Sequence, residues 1–325
     1  MHKKRMLMIV VYLFLVIFWN TVEAKTDSLT IVQITDTHIC NLVGYEPEFI
    51  KARQHYGEGM EPLKTFFDTV PQNVGADAVI ITGDLVDYYE AETEKGPFLD
   101  TQIEQFERLC ENCPVPMLFT LGNHDIATYW IEEPDKVTSF QINANMARAA
   151  WVRNISCFQD GTYYARPFTV GNTKYYFIFL DNGYSLGNGG YLDKPQLDWL
   201  NFQVQQAGEN PIVIFMHKYL PVPDYNGDGA VFTEKSTLDI NSEKCSRGFL
   251  KTLNENKNIK ALIVGHGHKN VSELLPFPAG HQILQTETGG FGQDTNNWRL
   301  LKFTEDEIII YSTGTEKIES RHPIN

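Results

Sequence analysis

Positive charge is scarce in this sequence: 27 lysines and arginines stand against 41 aspartates and glutamates, a formal net charge of −14. Such a surface repels nucleic acid and anionic membrane and lacks the basic stripe that a phosphate backbone needs, so a small ligand is favoured over DNA or RNA. Bound metal ions can invert the local field without altering that count. Long apolar runs are also lacking. The run from Met6 to Trp19 is short of the roughly 20 residues of a membrane span. It follows Lys3, Lys4 and Arg5 and precedes the small residues Val22 and Ala24, which is the pattern of a secretory signal. Cleavage after Ala24 makes residues 1–24 a signal peptide and 25–325 the mature chain, exported to the periplasm or beyond, with no stable membrane insertion. The mature chain keeps 24 basic and 40 acidic residues, a net charge of −16.

Cysteine is sparse and odd in number: Cys40, Cys110, Cys113, Cys157 and Cys245. In an oxidising compartment at least one thiol stays unpaired within the monomer. Cys110 and Cys113 have C-x-x-C spacing, but no second C-x-x-C completes a four-cysteine zinc site. A local disulfide or two ordinary half-buried cysteines fit that pair better than a redox motif. No cysteine follows the apolar run within the signal region to carry a lipid. Repeats, low-complexity tracts and Pro/Gly/Ser-rich linkers are absent as well, which leaves residues 25–325 as a single domain.

Short apolar runs are abundant: Leu29 to Thr35, Ala78 to Thr82, Val115 to Leu121, Lys174 to Leu180, Pro211 to Met216 and Ile259 to Val264. Each ends abruptly in polar residues and reads as a buried strand. Helical stretches lie between them, at Glu61 to Pro71, Thr101 to Cys110, Lys194 to Gln206 and Asn241 to Asn254, the alternation of an α/β protein. Trp298 to Phe303 and Glu307 to Ser312, split by Thr304 to Asp306, predict a closing hairpin. Cys40 to Met60, Tyr129 to Tyr164 and Pro221 to Thr237 read as long connections suited to binding.

Five polar clusters sit at strand ends: Asp36-Thr-His38, Gly83-Asp84, Gly122-Asn123-His124-Asp125, His217 and Gly265-His266-Gly267-His268. Ligands gather outside the carboxyl ends of strands in open α/β sheets, so these clusters converge on one place. Any one of them alone is more often a surface turn or a core pair. Yet five of the eight histidines of the mature chain fall in them. Carboxylate, imidazole and an amide oxygen without thiolate suit zinc, manganese or iron(II). Two divalent ions are the natural count, with Asp84 able to bridge them about 3.5 to 4 Å apart. The four glycines in the clusters permit sharp turns.

The ordered set D-x-H, G-D, G-N-H-D, H and G-H-x-H, running from about Ile31 to His268, resembles the calcineurin-like metallophosphoesterase superfamily. That resemblance implies an α/β four-layer sandwich, two mixed β-sheets flanked by helices, and a phosphoric ester hydrolase in which a metal-bound hydroxide attacks phosphorus. It implies Asp36, His38, Asp84 and His268 on one metal, and Asp84, Asn123, His217 and His266 on the other. His124 stands outside the coordination shell and donates to the phosphoryl or leaving oxygen, with Asp125 orienting its ring. Purple acid phosphatases of the same superfamily carry G-D-x-x-Y, whereas Asp87 occupies that place here and Tyr88 comes one residue late. His38, too, stands where purple enzymes lack a histidine. The pattern is closer to class III cyclic-nucleotide phosphodiesterases and related bacterial phosphodiesterases. The alternatives are an acid phosphatase or nucleotidase scavenging phosphate, and a non-catalytic binding module on the same fold; the intact ligand set disfavours the module. Gln196 to Leu200 resembles a helix found in both enzyme groups and does not separate them. Asp224 to Gly229 opens like a calcium loop, but Lys235 takes the position of the bidentate glutamate, so a tight polar turn is expected. Asn182-Gly183-Tyr184 and Gly289-Gly290-Phe291 are explained by turn chemistry.

Overall fold

A computed structural model describes residues 27–56, 59–92, 102–133, 136–183, 192–220 and 243–325. The expected signal peptide, the calcium-loop-like turn, Tyr184 and the Cys245 side chain lie outside the described residues.

Two six-stranded sheets form from the apolar runs. The first contains β1 (Leu29–Ile34), β2 (Ala78–Thr82), β4 (Met117–Thr120), β13 (Arg299–Phe303), β14 (Glu307–Tyr311) and β15 (Ile318–Pro323), in the order β15-β14-β13-β1-β2-β4. The second contains β7 (Tyr164–Val170), β8 (Thr173–Phe179), β9 (Ile212–Lys218), β10 (Ile259–Gly265), β11 (Val271–Phe277) and β12 (His281–Glu287), in the order β11-β12-β10-β9-β8-β7. Both are mixed. Strands β1, β2 and β4 run parallel while β13 turns back on β1; β8, β9, β10 and β12 run parallel while β7 and β11 turn back at the edges. Every residue of β2 and β9 is buried, which is why these strands read as continuous apolar runs rather than alternating ones.

Alternation shows instead in what each face touches. Phe177, Phe179, Val213, Phe215, Ala261 and Ile263 point into the core shared with β1, β2 and β4. Their neighbours Ile178, Ile214, Met216 and Leu262 point to the other face of the second sheet. There they meet Leu200 and Val204 of one helix (Lys194–Ala207) and Phe249 and Leu253 of another (Glu243–Glu255). Asp193 caps the former, its carboxylate accepting the Gln196 N–H at 2.9 Å, with Pro195 in the first turn. Phe66, Phe67, Ile103, Phe106, Ala147 and Trp151, from three other helices, join the core of the first sheet. In chain order the helices are α1 (Pro47–Arg53), α2 (Met60–Asn73), α3 (Gln102–Cys110), α4 (Ala144–Asn154), α5 (Lys194–Ala207) and α6 (Glu243–Glu255). The result is the expected helix, sheet, sheet, helix stack.

Two of the expected long connections are in fact structured. Residues 40–60 contain α1. Residues 129–164 contain most of β5 (Thr128–Glu133), all of β6 (Lys136–Phe140) and α4, and β5 and β6 join β3 (Glu90–Ala91) in a small sheet of order β3-β5-β6. The signal was present: Thr128, Tyr129, Trp130 and Ile131 are strand formers, and Ala144, Ala147, Ala150 and Trp151 are a buried helical stripe. Neither Cys110 nor Cys113 is in a disulfide, and both are half-buried, the second of the two outcomes expected for the pair. Among the described residues no helix is long and apolar enough to cross a membrane.

Candidate metal centre

The chain leaves β1 and β2 without parting them: Asp36 N–H donates to Gly83 O at 3.0 Å and His38 N–H to Asp84 O at 2.9 Å. To aim side chains into one hollow, the backbone turns sharply, and Asp36, His38, Asp84, His266 and His268 all have positive φ, between 44° and 74°. Each such residue stores of order 1–3 kcal/mol, a cost met by the packed strands around it. Two neighbours have to be glycine. A Cβ on Gly83, itself at φ 87°, would enter the His217 ring, and one on Gly122 would enter the Asp84 carboxylate.

Six of the seven expected ligands come together in overlapping groups, and the seventh, Asn123, lines the same cavity as His266. His268 Nε2 is 2.9 Å from Asp36 Oδ1, and His38 Nε2 is 3.6 Å from the same oxygen and 3.7 Å from Asp84 Oδ2. His217 Nε2 is 3.1 Å from Asp84 Oδ2 and 3.1 Å from His266 Nδ1. The donors form overlapping groups: Asp36, His38 and His268; His38, Asp84 and His124; Asp84, His217 and His266. His217 lies within β9 rather than after it, and the other clusters follow their strands.

The opposite ring nitrogens are tied down. His38 Nδ1 meets Asp87 Oδ1 at 3.2 Å, and His217 Nδ1 meets Thr82 O at 2.9 Å. Those acceptors keep a hydrogen on Nδ1, so Nε2, aimed at the cluster, is the nitrogen that can coordinate a cation once its own proton is displaced. Asn123 Oδ1 is buried with no hydrogen-bond partner, an orphan that a cation would satisfy. These donors fit divalent metal ions.

The electrostatics say the same. Burial alone would raise Asp36, but His217, His268 and His38 hold it well below the usual carboxylate value; Asp84 is likewise depressed, by His217 and His124 against its burial. Burial alone would lower His38, yet Asp36 and Asp87 raise it well above its ordinary value, and His217 is lifted to about 9 by Asp84 and Asp36. Burial and His217 push His266 down to about 4. Buried carboxylate charge here demands cations, and metal binding must displace protons.

One expectation is corrected. Asp125 does not orient His124: its Oδ1 accepts the Val86 N–H at 3.0 Å and its Oδ2 the Gly122 N–H at 2.6 Å, so it fastens two strand-end turns together. In the 3₁₀ turn His124–Ile126 its side chain is buried, whereas His124 is half-buried. The His124 ring is held by Asp87 O at 2.9 Å and the Tyr129 hydroxyl at 2.8 Å, both on Nδ1. His124 Nε2 lies 4.0 Å from Asp84 Oδ2, at the rim of the cluster.

Asp87 is therefore central, although in the sequence it stood out only as a departure from G-D-x-x-Y. Arg53 grips it with two hydrogen bonds, Nε to Oδ2 at 2.7 Å and Nη2 to Oδ1 at 2.5 Å, and the guanidinium also lies 4.9 Å from the Tyr129 ring centre. Tyr88, by contrast, faces a satellite core and donates its hydroxyl to Asn41 O. Glu287, at the end of β12, accepts the Lys269 N–H at 3.3 Å beneath the Gly265–His268 turn, and burial raises it to about 7. Asn182 braces β9 by accepting the N–H groups of His217 and Lys218, a structural role in line with its turn reading.

The sequence profile of the calcineurin-like phosphoesterase family matches residues 29–270. A 3′,5′-cyclic-nucleotide phosphodiesterase of Nostoc sp. is 23% identical over 299 residues, covering 90% of this chain and 92% of the relative. A UDP-2,3-diacylglucosamine hydrolase of Actinobacillus succinogenes is 23% identical over 227 residues, 68% of this chain and 84% of that one. A dimetal phosphatase from Danio rerio has the same fold, with a TM-score of 0.57 at 16% identity over 91% of this chain and 99% of its own.

Proposed function

The chain belongs to the calcineurin-like phosphoesterase family and is a metal-dependent phosphoester hydrolase, and we propose that it is an exported enzyme with two divalent ions that hydrolyses a small phosphate ester, mono- or diester. The observation that carries the two-ion reading is Asp84: its carboxylate belongs to two donor groups at once, one toward His38 and one toward His217 and His266. Asp36, His38 and His268 complete one site; Asn123, His217 and His266 complete the other. Manganese, iron and zinc all suit these donors.

Such ions supply Lewis-acid charge and lower the pKa of water toward neutrality. The chain's own residues do the rest. Asp87 and Thr82 fix the His38 and His217 rings. Asp87 O can only accept, so Nδ1 of His124 carries a hydrogen; with the ring in its doubly protonated form, Nε2, 4.0 Å from Asp84 Oδ2, is the atom that would give its proton to the leaving oxygen. Asp125 keeps the two turns that carry Asp84 and Asn123 in register. Export rests on the basic group, apolar run and Ala24 at the start of the sequence.

The test is to purify the chain, measure bound metal, and assay bis-aryl and aryl phosphates, nucleotides and 3′,5′-cyclic nucleotides, the last because of the Nostoc relative's named activity. About two metals per chain with turnover of at least one ester class supports the reading. No metal and no turnover after reconstitution with manganese, iron or zinc overturns it and promotes the binding module.

A further inference from the structure

The small sheet β3-β5-β6 has two unlike faces. Tyr129, Ile131 and Val137 pack on a satellite core with Tyr45, Phe49 and Tyr88. The opposite face carries Trp130 and Phe140. These are diagonal neighbours on antiparallel strands, because Thr128 pairs with Phe140 and Trp130 with Thr138. Their rings stack with centroids 4.3 Å apart and planes 5° from parallel, yet Phe140 remains 45% exposed. A solvent-facing strand position ordinarily takes a polar residue; an ordered aromatic stack at the rim of a catalytic hollow is a binding surface.

A cavity of about 470 Å³ joins that stack to the metal centre. At one end it is lined by Asn123 and His266, and at the other by Phe140, with Tyr129, Gln141 and Lys218 along its walls. Trp130 does not line it, so Phe140 is the layer of the stack that meets the cavity. Gln141 is held by the carbonyls of Asn123 and Gly183, which makes the wall between the two ends rigid. The Lys218 ammonium adds positive charge on the phosphate side. Since Asn123, His266 and Phe140 line one cavity, a molecule with its phosphoryl group on the metal centre would extend the rest of the ester toward Phe140.

We propose that this cavity selects phosphate esters bearing a flat aromatic or heterocyclic ring, which stacks on Phe140 as a third layer over Trp130. The inference rests on the phosphoesterase reading above and narrows its substrate class. The shared chemistry is a planar π-system; a simple aryl group and a nucleobase both supply it.

Non-hydrolysable phosphonates test it without the leaving group's own reactivity intervening. Phenyl-, cyclohexyl-, propyl- and a nucleoside phosphonate are titrated into the manganese-loaded protein by calorimetry and as competitive inhibitors. Phenyl- or nucleoside phosphonate is expected to bind about tenfold tighter than cyclohexylphosphonate, the size of one ring stacked on one aromatic side chain. That ratio should collapse in F140A and survive in F140Y; if F140A folds poorly, F140L gives the same reading. Whichever flat ring binds tighter identifies the source, aryl or nucleobase. Equal binding of phenyl and cyclohexyl, a ratio untouched by F140A, or no phosphonate binding at all overturns the proposal. Absence of turnover with every ester, alongside an intact flat-ring preference, would instead fault the hydrolytic reading and leave the pocket standing.

Discussion

The metal centre has a closed half and an open half. Asp36, His38, Asp84 and His217 are at most 2% exposed and sit where the two sheets face one another. Asn123, His124 and His268 are half-buried and His266 is exposed, with Asn123 and His266 lining the cavity. In the closed half each imidazole is locked by an acceptor behind it, whereas His266 and His268 hang on a two-glycine turn at the end of β10. The difference separates holding from reacting: buried, oriented ligands give affinity for the ions, and open ones leave room for substrate and water. Variants in each half should therefore fail differently.

The largest effect is expected in the closed half. Asp84→Asn removes the charge common to two donor groups, so both ions should be lost and turnover should fall by at least about 10³-fold. Metal analysis beside a rate assay checks this, and two tightly held ions at a normal rate would break the shared-ligand assignment.

His124→Asn belongs to the open half. Metal content should hold while the rate falls by about 10²- to 10⁴-fold, most for poor leaving groups that need a proton. A loss equal across a leaving-group series would remove the proton-donor role and leave phosphoryl stabilisation. Loss of one metal would move His124 into the coordination shell, beside His38 and Asp84 with which it already clusters.

Third is the pH response of the closed half after chelation with EDTA. His217 is raised from 6.5 to about 9, so its pairing with Asp84 and Asp36 stabilises fully below about pH 6.5 and is lost as pH rises through about 9. Asp36 and Asp84 are depressed from 3.8, so their contribution is present above about pH 3.8 and disappears as pH falls further. Metal-free protein should be most stable between those limits, losing at most about 3 kcal/mol on the alkaline side through His217. Melting temperatures across pH read it, and a metal-free Tm that climbs from pH 6.5 to 9 would contradict the charge assignment.

The smallest expected effect tests what locks the closed half. Arg53→Lys keeps the charge but loses the two-pronged grip on Asp87, which steadies both His38 and, through its carbonyl, His124. Manganese affinity and rate should each drop about tenfold. Unchanged affinity would mean that Asp87 needs no help from Arg53.

Much of this was legible along the chain. The eight strands expected from apolar runs and the closing hairpin formed where the sequence put them, most plainly β2 and β9, which are buried throughout and so read as apolar runs. The edge strands β7, β11 and β15, strand β12 and the small sheet are not among the expected strands; those of the small sheet lie in a stretch interrupted by Pro134 and Asp135 and lack the long apolar run that marks the central strands. Asp125 illustrates the other limit. Adjacency in sequence makes it the natural partner of His124, yet consecutive side chains in a tight turn diverge, and Asp87 from another loop is the group that arrives.

By itself the sequence determined eight of the strands and the four helices between them, the donor types at strand ends and the acidic balance of the chain, because each follows from local residue chemistry or periodicity. Only the tertiary structure decided that Arg53, Asp87 and Tyr129 meet behind His38 and His124, that Phe140 reaches the rim of the cavity, and which nitrogen of each ring faces the ions. Those facts depend on distances between segments remote in the chain, and packing of the two sheets is what sets them.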